Sequence, residues 1–297
     1  MNIAVSRDQT LLRAYGLAAF AVILWGATPA ATKVAVSGMD ASLAALLRTV
    51  FAAGVTLPVV LLFRMPLPQG KRDWGLLLLS AAAGFGGFTI LFSLGVARTS
   101  ASHAALINAA IPLFVGFFGA VAEGQRPGRY WIAGVAVAII GEIVLISERG
   151  GGGAVTLFGD LLCVGSSALA GLGYVAGSRL AIRLGTFSVT FWGIAIAGVI
   201  QAPLAWWLWS NGSGSIGIAE DAWTAVLYLA FASSILGYLA WYKALADGGV
   251  VRMAPMQFAM PVISLALATA WLGDAVTPSL IFACVMVLSG IALSRRR

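Results

Sequence analysis

The arrangement of charged residues constrains this chain more than any other feature. They stand in small groups at the ends of long apolar runs instead of alternating with apolar positions along them. A helix needs roughly 20 apolar residues to cross a ~30 Å hydrocarbon layer, whereas a water-soluble helix must keep one face polar. With 60% hydrophobic and 10% charged residues in 297, the pattern excludes a soluble globular domain. It predicts an all-α polytopic membrane protein. Reading the runs between charges, prolines and glycines predicts ten transmembrane helices, at 14–36, 42–63, 74–96, 101–121, 130–147, 157–179, 186–209, 222–243, 251–272 and 278–294. The first run follows Arg7 and Arg13. It exceeds the 7 to 15 residues of a signal-peptide core, so it reads as a retained span.

The net charge of +7 and pI near 9.9 do not point to nucleic acid, because the basic residues form no stripe. They sit at span ends, where they set topology. Arg7, Arg13, Arg64, Lys71, Arg72, Arg126, Arg129, Arg179, Arg183, Lys243, Arg252 and Arg295 to Arg297 fall on the side of the N-terminus. Only Lys33, Arg98 and Arg149 fall opposite, and Arg48 lies inside the second span. The expectation is an inner-membrane protein with both termini cytoplasmic. Cys163 and Cys284 lie inside apolar runs and read as packing residues, with no disulfide, metal or cofactor expected. The glycine-rich stretch at 149–153 lacks the Gly-Lys-Ser/Thr ending of a phosphate loop. Gly173 and Gly177 have helix-packing spacing, which in a glycine-rich chain carries little weight.

The sequence also resembles itself. An offset of 149 aligns Phe92 with Trp241, Ala97 with Ala246, Pro112 with Pro261 and Gly141 with Gly290. Nearer the start of each half the offset is about 145, pairing Leu24 with Leu169 and Gly26 with Gly171. The expected organisation is a first five-helix repeat, 1–148, and a second, 149–297. Five spans being odd, the second must be inverted, an architecture that in secondary transporters places the substrate site near the midplane. Asn108 stands four residues before Pro112, and Gln257 four before Pro261. A helical proline cannot donate its backbone hydrogen bond and clashes with the carbonyl four residues earlier. Each half therefore brings an amide side chain and a freed carbonyl to one depth. These four residues are candidates for the transport site, the alternative being amides that only join helices.

Further motifs carry a family resemblance: Trp25-Gly26 with Pro29 and Lys33, the Ala-Arg-Thr-Ser-Ala-Ser stretch at 97–102, Glu123, Gly159-Asp160 and the arginine tail. With ten spans in two inverted fives, the chain resembles the drug/metabolite transporter superfamily and, within it, the EamA-type exporters, which include aromatic amino-acid exporters. The resemblance implies a cavity among spans one, three, four, six, eight and nine, with five and ten behind, and Trp25 is counted with its lining. The aromatic amino-acid exporters carry tryptophan where this chain has Ile111 and Gly171, which implies a roomier pocket. The small multidrug members carry a proton-binding glutamate near the position of Trp25. Its absence here favours facilitated diffusion over proton-driven efflux.

Tyr238, Trp241 and Tyr242 share one helical face near the cytoplasmic end of the eighth span. They read first as interfacial belt residues and, if turned inward, as a stacking surface for substrate, with Tyr174 a similar case. His103, the single histidine, is either structural or a site of protonation coupling. Arg48 either snorkels or pairs, a carboxylate-binding role being the alternative. Asp160 is expected to cap the sixth helix, and Glu123, Glu142 and Asp274 to be structural. The leading reading is an exporter of amino acids and amphipathic metabolites, a monomer by default and not an enzyme. A proton-coupled multidrug carrier is the close alternative. An intramembrane hydrolase pairing His103 with Ser166 or Ser167 is remote, because neither serine stands in a nucleophile elbow.

Overall fold

The computed structural model describes residues 2–124, 128–147, 155–213, 217–248, 256 and 259–294. Among the described residues, seven helices are long and apolar enough to cross a membrane, and three further apolar helices are shorter. In chain order, α1 runs over Asn2–Gly26 and Thr28–Gly38, α2 over Ala41–Leu62, and α3 over Lys71–Leu79, Ser80–Gly87 and Phe88–Val96. Helix α4 comprises Ala101–Ala109 and Ile111–Glu123, and α5 is Arg129–Ser147. Helices α6 (Leu157–Leu184), α7 (Thr186–Leu208) and α8 (Glu220–Leu227, Tyr228–Leu236 and Gly237–Gly248) follow. The last two are α9 (Met260–Leu272) and α10 (Pro278–Ser294). No strand occurs among the described residues.

Two helices, α1 and α4, are interrupted, and α9 begins, just ahead of a proline. Ala27 (φ −80°, ψ −9°) separates the two segments of α1, its N still donating to the Ile23 carbonyl at 3.2 Å; Ala110 (φ −79°, ψ −6°) separates those of α4, its N donating to the Ile107 carbonyl only three residues back at 3.1 Å; and Ala259 (φ −75°, ψ −16°) immediately precedes α9. Each lies two residues before a proline, Pro29, Pro112 or Pro261. The cause is common to all three: the pyrrolidine ring removes a donor and pushes on the preceding turn. Helices α3 and α8 instead widen into π-helix over Ser80–Gly87 and Tyr228–Leu236, which the sequence reading did not foresee.

Backbone features recur at fixed spacing. Ala110 and Ala259, and the left-handed terminal glycines Gly124 (φ 67°) and Gly273 (φ 69°), stand 149 residues apart. Pro58 and Pro203, each inside a helix, stand 145 apart. Packing is reciprocal as well: α1 lies on α8 as α6 lies on α3, and α2 meets α8 as α7 meets α3. Helices α2 and α7, α4 and α9, and α5 and α10 pack on one another. Small residues permit the closest approaches, as Gly173 against the backbone of Gly84 and Gly198 against Ala53 show.

Candidate functional site

Breaking a helix inside a bilayer frees carbonyls that have no water to turn to. Here hydroxyl groups of neighbouring helices take them. At the α1 break, Tyr228 Oη donates to the Leu24 carbonyl at 2.7 Å and Ser264 Oγ to the Gly26 carbonyl at 2.7 Å. At the α4 break, Ser167 Oγ on α6 reaches the Ile107 carbonyl at 3.4 Å and the Asn108 side-chain oxygen at 3.1 Å. Asn108 is half-buried, and its side-chain oxygen is turned to α6. Pro261 is buried at the start of α9. Gln257, the side chain of Pro112 and the side chain of Tyr242 lie outside the described residues.

Around the α1 break the aromatic residues converge. The Trp25 ring lies edge-on to Tyr238 at 5.1 Å between centroids and 5.6 Å from Trp241. Tyr238 in turn meets Phe85 of α3 at 5.6 Å, and its hydroxyl is 3.1 Å from that of Tyr174 on α6. The cluster thus joins α1, α3, α6 and α8. Gly237 is what lets the indole lie on α8, because a Cβ there would stand 2.6 Å from Trp25 Nε1. That nitrogen donates to the Ser233 carbonyl at 2.9 Å, within the π-helical stretch. The belt reading of Tyr238 and Trp241 is therefore corrected. Trp241 is only 6% exposed, and the face it shares with Tyr238 is turned to α1. A face that packs on a neighbouring helix cannot also meet the headgroups.

Polar side chains border these rings. Thr28 Oγ1 and Ser233 Oγ are 2.8 Å apart, and Arg48 reaches Ser233 and Ser234, both at 3.4 Å. The sequence reading did not single out Thr28, Ser233 or Ser234. The available signal was that 233 and 234 correspond, at the 149 offset, to Gly84 and Phe85. Two polar residues standing where the other half has none are a local departure from the repeat.

His103 belongs to a different cluster. Its Nδ1 is 3.4 Å from Asp160 Oδ2, and Thr99 donates to the other carboxylate oxygen at 2.6 Å. Asp160 is fully buried, so the expectation that it caps α6 is corrected: Thr156 is the cap, its hydroxyl accepting from Gly159 N at 3.0 Å. Asp160 lies a turn further in, where it ties the ends of α3 and α4 to α6. Lys33 holds the end of α3 by donating to the Val96 and Thr99 carbonyls at 3.0 and 2.7 Å. Ser166 donates to the Cys163 carbonyl and Ser167 to α4, so the hydrogen bonds of both serines run elsewhere than to His103. The roomier pocket expected at Gly171 is also corrected. A Cβ there would stand 2.7 Å from Phe114 Cβ, so the glycine brings α4 close instead of opening space.

Apolar helices interrupted ahead of prolines, with hydroxyl and aromatic side chains gathered at the interruptions, are the build of a multi-pass membrane transporter. The chain belongs to the EamA-like transporter family, whose pattern matches residues 12–147 and again 157–296. It is 29% identical over 276 residues to YdeK of Bacillus subtilis (strain 168), described as an uncharacterized transporter, with 93% of this chain and 94% of that one covered. It is 27% identical over 285 residues to a probable amino-acid metabolite efflux pump of Salmonella typhimurium, covering 94% and 93%. It is 26% identical over 226 residues to a probable terminal-alkyne amino-acid exporter of Streptantibioticus cattleyicolor, covering 76% and 74%. A solved crystal structure superposes with a TM-score of 0.63 at 22% identity over 95% of this chain and 96% of that one, a likeness of fold.

Proposed function

We propose that the protein exports amino acids, aromatic ones among them, and related small metabolites across the inner membrane by alternating access, as facilitated diffusion. Two inverted five-helix repeats, 1–148 and 149–297, form ten spans with both termini cytoplasmic. The observation that carries this reading is the matched backbone at Ala110, where α4 breaks, and at Ala259, where α9 begins, each two residues before a proline. Breaks at matching positions of two halves point to the substrate site of inverted-repeat transporters. The reciprocal packing of the helices and the double family match support the repeat. Asn108 with Pro112 and Gln257 with Pro261 then flank the chamber. Trp25, Tyr174, Tyr238, Trp241 and Tyr242 offer rings to an apolar side chain. The names of two relatives support amino acids as the substrate class.

The test is flux of labelled amino acids from proteoliposomes, with and without a pH gradient. Release down the concentration gradient, unchanged by pH, is the expected result, and no release above empty liposomes for any amino acid ends the proposal. A second reading, proton-coupled efflux, is favoured by the buried His103–Asp160 pair, since ionisable groups inside a membrane protein are a usual basis of proton relays. Strict dependence of flux on the pH gradient would select it.

A further inference from the structure

One buried charge is poorly compensated by its surroundings. Arg48 is the eighth residue of α2, about 10 Å along the helix at 1.5 Å per residue. It is 5% exposed. Its Nε and Nη2 reach the Ser234 and Ser233 hydroxyls at 3.4 Å, well beyond the 2.7–2.9 Å of a strong charge-assisted bond. Nη1 is buried and has no hydrogen-bond partner among the described residues. Among the described residues no carboxylate pairs with this guanidinium. A charge so placed is unfavourable unless something compensates it.

The corresponding positions of the second half show what the fold itself requires. At the offset of 145 that matches Pro58 to Pro203, Arg48 corresponds to Gly193 and Thr28 to Gly173. At the offset of 149 that relates the starts of α3 and α8, Ser233 and Ser234 correspond to Gly84 and Phe85. These counterparts meet each other as the polar set does. A Cβ on Gly193 would lie 2.7 Å from the Phe85 ring, and one on Gly173 would run into Gly84. The same joint is thus closed in one half by three glycines and a phenyl ring, and in the other by an arginine and three hydroxyls. The joint needs no charge to close.

We propose that Arg48, with Thr28, Ser233 and Ser234, is the subsite for the carboxylate of the transported substrate, an assignment that rests on the transporter reading above. A guanidinium offers parallel N–H donors that match a carboxylate's two oxygens, and the free Nη1 supplies one of them. Of the hydroxyls, those of Ser233 and Ser234 accept from Arg48; Ser233 is paired with Thr28 and can turn to donate to the anion, whereas Ser234 donates to the Leu229 carbonyl at 2.8 Å. Trp25, bonded to Ser233, edge-on to Tyr238 and tilted against Trp241, places an aromatic surface beside the anion. The substrate class is a carboxylate carried next to an apolar or aromatic group. Arg48 is enclosed here, so loading requires α8 to part from α1 and α2. The π-helical stretch of α8 at this joint is the kind of interruption that recurs at functional sites.

The test is competition against phenylalanine and leucine flux in proteoliposomes. The competitors are phenylalanine and leucine themselves, their amides, and phenylpropionate, which keeps the carboxylate and lacks the amine. The wild-type protein is expected to prefer the acids, phenylpropionate included, over the amides by at least about tenfold, the size of effect a lost charge-assisted bond produces. Arg48→Gln is expected to erase the preference and Arg48→Lys to retain part of it, with monodispersity of the purified variants confirming that they fold. Equal competition by acids and amides in the wild type overturns the proposal and leaves the transporter reading standing. An undiminished preference in Arg48→Gln does the same. Should Arg48→Gln fail to fold, the wild-type comparison decides alone. Absence of flux for every compound overturns the transporter reading and this assignment with it.

Discussion

Trp25 is the residue where stability and site meet, and its two contributions can be separated. The indole nitrogen makes one buried hydrogen bond, to the Ser233 carbonyl, and the ring makes two aromatic contacts, to Tyr238 and Trp241. Trp25→Phe removes the bond and keeps most of the ring. The expected loss is about 1 kcal/mol, since hydrogen bonds within membrane proteins contribute roughly 0.6 to 2 kcal/mol. Trp25→Ala removes both. Aromatic pairs add about 0.5–1.5 kcal/mol each beyond burial, and Trp to Ala in a packed core costs about 3–5 kcal/mol. The lower end applies here, because lipid is as apolar as the core and the transfer part of that cost is absent. A loss of about 3 kcal/mol is therefore expected for Trp25→Ala, roughly 2 kcal/mol beyond Trp25→Phe. Reversible unfolding in mixed micelles measures both. If the two variants fall within about 0.5 kcal/mol of each other, the ring cluster does not hold α1 to α8.

Asp274 accepts from both the backbone N and the hydroxyl of Ser102 at 3.0 and 2.9 Å, acting as a cap for α4 supplied from beyond α9. Asp274→Ala should cost about 1 kcal/mol, as losing a helix cap does, and should raise amide exchange in the first turn of α4. Gly173→Val should prevent α6 from meeting α3 at Gly84, costing about 1–3 kcal/mol or more as overpacking does, visible as a lowered unfolding midpoint. Asp160→Asn removes the buried carboxylate that serves Thr99 and faces His103. A loss of about 1.5–3 kcal/mol is expected, the range for hydrogen bonds to charged groups. Flux that stays independent of a pH gradient in both the wild type and this variant would assign the pair to structure.

The helical class, the approximate places of the apolar runs, and the matching prolines Pro112 and Pro261 were legible because each depends on local chemistry. A stretch long enough to cross hydrocarbon, or a ring that blocks a backbone bond, needs no knowledge of its neighbours. The π-helical stretches in α3 and α8 were not legible, having no single-residue signature. Asp160 shows the same limit. The sequence offered Asp160 as a cap, whereas Thr156 took that place and Asp160 was drawn inward by Thr99 and His103.

The direction each side chain faces was decided by tertiary structure alone. In a soluble helix the apolar face marks the inside, but a membrane helix is apolar towards lipid and protein alike. Periodicity therefore placed Tyr238, Trp241 and Tyr242 on one face without saying where that face looked. Packing against α1 turned Tyr238 and Trp241 inward, with Gly237 making room for the indole. Arg48 was readable as an expensive residue, yet the hydroxyls of Ser233 and Ser234 around it appear only when α2 meets α8. Chain chemistry determined that this protein lives in a bilayer and where its helices break; the contacts between distant helices decided which of its polar and aromatic groups meet inside.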